Sequence, residues 1–217
     1  MRGVFVTGTG TNVGKTVVSA ALLCRYPSAS YWKPIQTGIE IDNDTADVQR
    51  LSGAQVHDSG VRLRGPVSPH LAAERAGIRI DLRALELPPH AGPWVVEGAG
   101  GLLVPLNESV TMADLIAQLE LPVVLAAHSS LGTINHTLLT LEALRARRLP
   151  VAGVVMVGDP DADNRKAIEH WGEVAVLGEM PRFELLAPGT LRAWASTELD
   201  PGLALAGLLS SGLRAKA

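Results

Sequence analysis

Lys15 stands between Gly14 and Thr16 at the end of the stretch "TGTGTNVGKT" (residues 7–16), which follows the apolar run Val4-Phe5-Val6. A glycine, a short spacer and then Gly-Lys-Ser/Thr is the spacing of a phosphate-binding loop. Successive backbone N–H groups curl round an anion, and the next helix adds its free N–H groups and positive dipole end. A lysine in that place reaches the β- and γ-phosphates, and the Thr16 hydroxyl can ligate Mg²⁺. Five residues separate Gly8 from Gly14 where the general pattern has four, so the loop is one residue longer or begins at Thr9. A glycine-rich turn without a ligand is the plain alternative. A strand before and a helix after, both expected here, are the context the motif requires.

Other stretches carry groups suited to the same chemistry. In "YWKPIQTG", Pro34 holds Lys33 extended and stops a strand, so the lysine would point over the strand's carboxyl edge, as a cation for phosphate or carboxylate charge. An exposed turn lysine explains this fragment equally simply. Only four of the 19 basic residues are lysines (Lys15, Lys33, Lys166 and Lys216). Where arginine is the default cation, a lysine can be present for its compact point charge. Glu97 ends the strand-like run of "VVEGAGG". A carboxylate there can hold Mg²⁺ directly or through water, and Gly98, Ala99 and Gly100 allow close approach of a nucleotide. A tight turn with a solvated glutamate is the alternative. "DNDTADVQRL" supplies Asp42, Asp44 and Asp47; a solvated acidic helix start accounts for any one of them, and one or two at most would be metal ligands. "SSLGTINH" enters a long helix, whose free N–H groups near Gly132, Thr133, Ile134 and Asn135 can bind a carboxylate or simply be capped. His70, His128 and His136 show no metal-ligand spacing.

These groups need a scaffold that gathers them. Strands are expected at Val4–Thr7, Ser30–Lys33, Trp94–Glu97, Val123–Ala127, Val151–Val157 and Val174–Leu177. They are continuously apolar rather than alternating, which suits strands buried on both faces. Helices are expected at Thr16–Arg25, Asp44–Ser52, His70–Ala76, Met112–Gln118, Thr133–Arg147, Asn164–Trp171 and Leu199–Leu209. The alternation implies an α/β fold of the P-loop NTPase type, with a mostly parallel sheet flanked by helices on both faces. Ligands in such sheets sit beyond the carboxyl ends of the strands, where these motifs fall.

The 217 residues, 47% apolar and 19% charged, suit a single domain spanning 1–217. A net charge of -3 without like-charge blocks gives no reason to expect nucleic acid or an anionic membrane surface as partner. No apolar run approaches the roughly 18–20 residues of a membrane span, and the start of the chain does not read as a signal peptide. Cys24 is the sole cysteine, which excludes an intrachain disulfide. A soluble cytoplasmic protein is the expectation.

Taken together and in order, "VTGTGTNVGKT", "KPIQTG", Asp47 before Leu51, "SPHLAA", "VVEGAGG", "LGTINH" and "LGEMP" resemble the dethiobiotin synthetases, ATP-dependent carboxylases of biotin synthesis. The resemblance runs from Val4 to about Phe183. It implies a homodimeric α/β P-loop enzyme that joins CO₂ (or bicarbonate) to 7,8-diaminononanoate, using ATP and Mg²⁺. It also implies roles. Asn12, Val13, Gly14, Lys15, Thr16 and Val17 would wrap the phosphates. Thr16, Asp47 and Glu97 would ligate Mg²⁺. Lys15 and Lys33 would be catalytic, stabilising charge on the carbamate and the transferring phosphoryl group. Thr11 and Thr37 would contact the diamine or its carbamate. Gly132, Thr133, Ile134 and Asn135 would hold the tail carboxylate across the dimer interface. Glu97, Gly98, Ala99 and Gly100 would line the nucleotide, and Pro181, Arg182 and Phe183 would close near it.

The chain also departs from the family. Gly10 and Asn12 stand where acidic residues are common. Val157-Gly158 replaces an Asn-Asp whose Asn reads adenine; valine cannot make that hydrogen bond, so other nucleoside triphosphates come into question. Two other functions stay open on sequence. A P-loop amidoligase would carry an additional glutaminase domain, for which this chain is short. A nucleotide-dependent switch binding protein partners would carry a lysine at Gly10.

Overall fold

The computed structural model describes residues 2–210. The ends of the expected 1–217 domain, residue 1 and residues 211–217, lie outside them. In chain order the elements are β1 (Gly3–Gly8), α1 (Lys15–Arg25), β2 (Ser30–Trp32), β3 (Ile35–Gln36), α2 (Asp44–Ser52), β4 (Val56–His57), β5 (Val61–Arg62), α3 (Pro69–Arg75), β6 (Trp94–Gly101), α4 (Met112–Leu119), β7 (Val123–His128), α5 (Thr133–Ala146), β8 (Val151–Val157), α6 (Ala162–Gly172), β9 (Val176–Met180), α7 (Pro188–Thr197) and α8 (Ala206–Leu209). Seven strands form one sheet in the order β4-β2-β6-β1-β7-β8-β9, with every neighbouring pair parallel. The minimal strands β3 and β5 form a separate parallel pair beside it.

The apolar runs form the middle of the sheet because both of its faces are covered. Along β1, Val4 and Val6 join the core that contains Val18, Leu22, Val48 and Leu191, from α1, α2 and α7. Phe5, between them, points into the other core, with Ala72, Met112, Leu115 and Ile116 from α3 and α4. From β1 the chain moves outward through α1 to β2. It later crosses from β6 to β7, on the two sides of β1. The direction of winding therefore changes at β1, and a crevice opens beyond its carboxyl end. The phosphate-loop motif sits there.

Gly14 caps α1 in the left-handed region, at φ 90. A Cβ on it would lie 3.0 Å from Cγ1 of Val157 at the end of β8. Backbone sign and close packing both require glycine at this point.

Most expected elements form within a few residues of their expected bounds. The last expected strand is shifted, to Val176–Met180. The expected helix Leu199–Leu209 does not form as one element. Asp200 and Leu203 turn left-handed, at φ 49 and 56, and only Ala206–Leu209 is helical. The larger C-terminal helix is α7, which starts with proline in its first turn. The segment after it is tied down by Asp200, a buried carboxylate that accepts from the Tyr26 hydroxyl and from the N–H groups of Ala204 and Leu205. No helix among the described residues is long and apolar enough to cross a membrane.

Tyr26→Phe leaves Asp200 without its hydroxyl donor, so urea denaturation should show a loss of about 1–3 kcal/mol of stability. A change within about 0.3 kcal/mol would mean that this contact does not hold the C-terminal segment.

Candidate active site

A cleft of about 670 Å³ opens at the carboxyl end of the sheet, lined by the phosphate loop, Lys33, Thr37, Asp44, Glu97 and Ala99 among others. A larger cavity, about 1000 Å³, lies at the opposite end of the strands, beside Arg2, His90 and Trp94. Volume favours the second. Chemistry favours the first, because only there do buried charges converge.

Parallel register brings them together. Tyr31 and Trp32 of β2 align with Val95 and Val96 of β6, so Lys33 and Glu97 emerge side by side. Lys33 Nζ lies 2.7 Å from Glu97 Oε1 and 2.7 Å from Asp44 Oδ2. The Thr16 hydroxyl lies 3.0 Å from Asp44 Oδ1 and 3.0 Å from Glu97 Oε1. Tyr31 donates to the other Glu97 oxygen, Oε2, at 2.9 Å. Glu97 and Tyr31 are fully buried and Lys33 nearly so.

Burial alone would lower the Lys33 ammonium, but the carboxylates of Glu97 and Asp44 outweigh it and hold the group above its ordinary value. Burial likewise opposes ionisation of Asp44, and the Lys33 charge reverses that, leaving the carboxyl below its usual range. Lys15 donates to the Gly10 carbonyl at 3.0 Å. Burial pushes its ammonium down to about 8 against the pull of Glu97, and Lys33 adds to the fall. A bound polyphosphate would raise it again. Burial and the Glu97 charge drive the Tyr31 hydroxyl well above its ordinary value, which keeps it a donor.

The donor set fits a hard divalent cation. Thr16 has one hydroxyl proton yet faces two carboxylate oxygens, so it can satisfy only one of them by hydrogen bonding. A cation where the three oxygens meet resolves that conflict, and oxygen-only ligands suit Mg²⁺. No group of three or more His, Cys, Asp or Glu capable of holding a metal occurs among the described residues. Asp44 and Glu97 offer two carboxylates beside the Thr16 hydroxyl, and Mg²⁺ is commonly held by one or two carboxylates with water and substrate phosphates completing its shell.

Asp47, expected as a ligand, is not in this cluster. It lies one turn further along α2, half-exposed, and pairs with Arg50 at 2.8 Å. Asp44, the first residue of α2, occupies the place instead. The other expected residues divide. Thr11, Asn12, Gly14, Lys15, Thr16, Val17, Lys33, Thr37, Glu97, Ala99 and Gly100 line the cleft. Val13 is buried behind the loop, against Gly8. A Cβ on Gly98 would strike Phe5, so Gly98 faces the core, with its carbonyl 3.4 Å from Lys33. Arg182 lines a smaller hollow of about 200 Å³ beside Val157, Ser129 and Asp159. Phe183 meets Trp194 of α7 edge-on at 6.4 Å, and neither it nor Pro181 lines the cleft. Gly132, Thr133, Ile134 and Asn135 form the start of α5 and do not line the cleft. Asp44 and Tyr31 are the site groups that sequence reasoning missed as such.

A family model described as an AAA domain matches residues 2–190. An ATP-dependent dethiobiotin synthetase BioD of Paramagnetospirillum magneticum is 54% identical over 192 residues, which cover 88% of this chain and 93% of that protein. The chain belongs to the dethiobiotin synthetase family. A second such synthetase, from Rhodopseudomonas palustris strain TIE-1, is 49% identical over 91% of this chain and 94% of its own length. The bifunctional biotin biosynthesis protein BioCD of Bordetella avium is 53% identical over 89% of this chain, which spans 42% of that longer protein. Among solved structures, a ParA family ATPase from Chlorobium tepidum TLS superposes with a TM-score of 0.49 at 10% identity, covering 89% of this chain and 97% of that chain.

The two aspartates separate by experiment. Asp44→Asn should raise the Mg²⁺ concentration needed for half-maximal activity by about tenfold or more, while Asp47→Asn leaves it unchanged. The opposite ranking in a Mg²⁺ titration would return the ligand role to Asp47.

Proposed function

We propose that this chain makes dethiobiotin from 7,8-diaminononanoate, CO₂ and ATP, releasing ADP and phosphate. One observation carries the reading: a single cleft joins the phosphate loop, with Lys15 and Lys33, to an apolar wall of Pro66, Val67, Pro69, Ala99 and Val104. A nucleotide triphosphate and an aliphatic diamine both find complementary surfaces there.

The 7-amine adds to CO₂ and loses a proton, forming a carbamate. A carbamate oxygen attacks the γ-phosphorus and the bond to ADP breaks, giving a carbamic-phosphoric anhydride. The 8-amine then attacks the anhydride carbonyl, the bond to phosphate breaks, and the ureido ring closes with loss of a proton. Lys15 and the loop N–H groups hold the phosphates. Lys33 faces the point where carbamate and phosphoryl charge meet, and fixed positive charge there stabilises the transition state. Thr37 and Thr11, both in the cleft lining, would orient the diamine. Holding carbamate and nucleotide in one cleft removes much of the entropic barrier. Thr16, Asp44 and Glu97 would hold Mg²⁺, which supplies neutralisation of the phosphate charge.

The tail carboxylate belongs to a second copy in this reading. Thr11 and Val104 border both the main cleft and an adjoining groove of about 440 Å³ lined by Leu103 and Leu139. Leu131, beside Gly132, is fully exposed, and Leu103 and Leu139 are more than half exposed. An apolar face of this kind suits a homodimer, in which the α5 start of the partner receives the carboxylate at the end of the groove. A cytoplasmic location fits this chemistry.

Nucleobase choice is the other extension. Val157 offers only methyl groups beside the hollow that Arg182, Asp159 and Ser129 line. A site that hydrogen-bonds its ligand can reject analogues by about 10⁴-fold, and an apolar contact cannot. ATP, CTP and GTP should therefore support activity with kcat/KM values within about 10²-fold of one another. A stronger ATP preference would sink this part.

The reaction itself is tested by mass detection of dethiobiotin from diaminononanoate, bicarbonate, Mg²⁺ and nucleotide. The native protein should form it, and Lys33→Ala should lower kcat by about 10²–10³-fold. Nucleotide binding without product would remove the proposal. Leu139→Glu should shift sedimentation from dimer to monomer and reduce activity with it; a native protein that sediments as a monomer while fully active would remove the partner's role.

A further inference from the structure

We infer that Tyr31 is a positioning residue for Glu97, fixing which carboxylate oxygen faces the cation site. The inference rests on the reading of Glu97 as a Mg²⁺ ligand. The two oxygens of this carboxylate have separate surroundings. Oε1 faces outward to the cleft, 3.0 Å from the Thr16 hydroxyl and 2.7 Å from Lys33 Nζ. Oε2 faces inward and receives the Tyr31 hydroxyl at 2.9 Å. A glutamate's terminal torsion is broad and roughly two-fold, so an unanchored carboxylate rotates and presents its oxygens at varying angles. The tyrosine bond stops that rotation from behind.

The strand geometry explains the residue type. Tyr31 aligns with Val95 in the parallel pair of β2 and β6, and Glu97 follows two residues later on the same face. That offset is about 6.6 Å along the strand. A tyrosine leaning along its strand spans it and delivers a hydroxyl on a ring with only two side-chain torsions. Serine or threonine would fall short, and phenylalanine would bring no donor. Tyr31 is fully buried and does not line the cleft, so it touches neither substrate nor solvent. Its Glu97 bond is what its polar atom is there to make. Two residues on, just past the end of β2, Lys33 turns to the other oxygen. One short strand and the residue after it therefore set both ends of the carboxylate. Groups that orient a metal ligand in this way typically change metal affinity by about 10–100-fold when removed.

The test is Tyr31→Phe, measured as binding of a non-hydrolysable ATP analogue by calorimetry, with and without Mg²⁺. Trp32→Phe serves as the control, since Trp32 is buried on the opposite face and donates to the Ser59 carbonyl at 2.8 Å. We expect Tyr31→Phe to need about tenfold more Mg²⁺ for half-maximal enhancement of binding, with metal-free nucleotide affinity within about twofold of native. Trp32→Phe should match the native Mg²⁺ dependence. In a Glu97→Gln background the Tyr31→Phe effect should vanish, because the two changes act through one carboxylate. An unchanged Mg²⁺ requirement in Tyr31→Phe overturns the inference. So does an equal rise in Trp32→Phe, or a Tyr31→Phe effect that persists without Glu97. If Mg²⁺ does not alter nucleotide binding by the native protein, the ligand role of Glu97 fails and the inference falls with it.

Discussion

A fully buried glutamate at the end of a central strand is the constraint around which this structure is arranged. An ionised carboxylate removed from water is strongly unfavourable unless charge and hydrogen bonds compensate it. Here Thr16, Tyr31 and Lys33 surround Glu97, and Asp44 shares the lysine. Those residues come from α1, β2 and its following turn, and the start of α2. No two neighbouring elements of the chain supply the set. Only the sheet order β2-β6-β1, with α1 and α2 on one face, closes it.

The cluster is also unbalanced by design of its parts. Two carboxylates face one lysine directly, with Lys15 bent back toward the Gly10 carbonyl. The remaining negative charge is held at the hydroxyl of Thr16, at the start of a helix whose dipole favours anions nearby. In the proposed reaction a divalent cation and a polyphosphate bound together would relieve both halves of this arrangement. The groups that stabilise one another in the cluster would then also be the groups that bind substrate.

Much of this was legible in the sequence, for identifiable reasons. The phosphate loop announces itself by spacing, and the lysine before Pro34 by the proline's effect on the chain. The long, evenly apolar strands were clear because both their faces are covered. Asp44 and Asp47 were harder, since acids three residues apart in a first helical turn share a general direction. What separates them is about 4.5 Å of helical rise, which carries Asp47 away from the strand edge. Arg50, three residues beyond Asp47, was the available sign of a surface pair. Tyr31 had no signal at all, because its role depends on register between strands more than 60 residues apart. The two-residue strands β3, β4 and β5 are too short to show a period. The C-terminal helix was misplaced because the apolar residues of Leu199–Leu209 read as a helix, whereas left-handed turns at Asp200 and Leu203 interrupt it.

Val157 links two properties that are usually discussed apart. Its methyl groups lie against the Gly14 backbone at the start of α1, while its exposed edge borders the hollow beside Arg182. A β-branched residue has little torsional freedom, so it forms a stiff prop beneath the phosphate loop. Exchanging it for a base-reading amide would remove one of those methyl groups from the loop as it gained a hydrogen bond to the ring. With the base in that hollow, as the proposed nucleobase choice has it, one side chain would couple grip on the phosphates to choice of base, and a change made for one would be felt by the other.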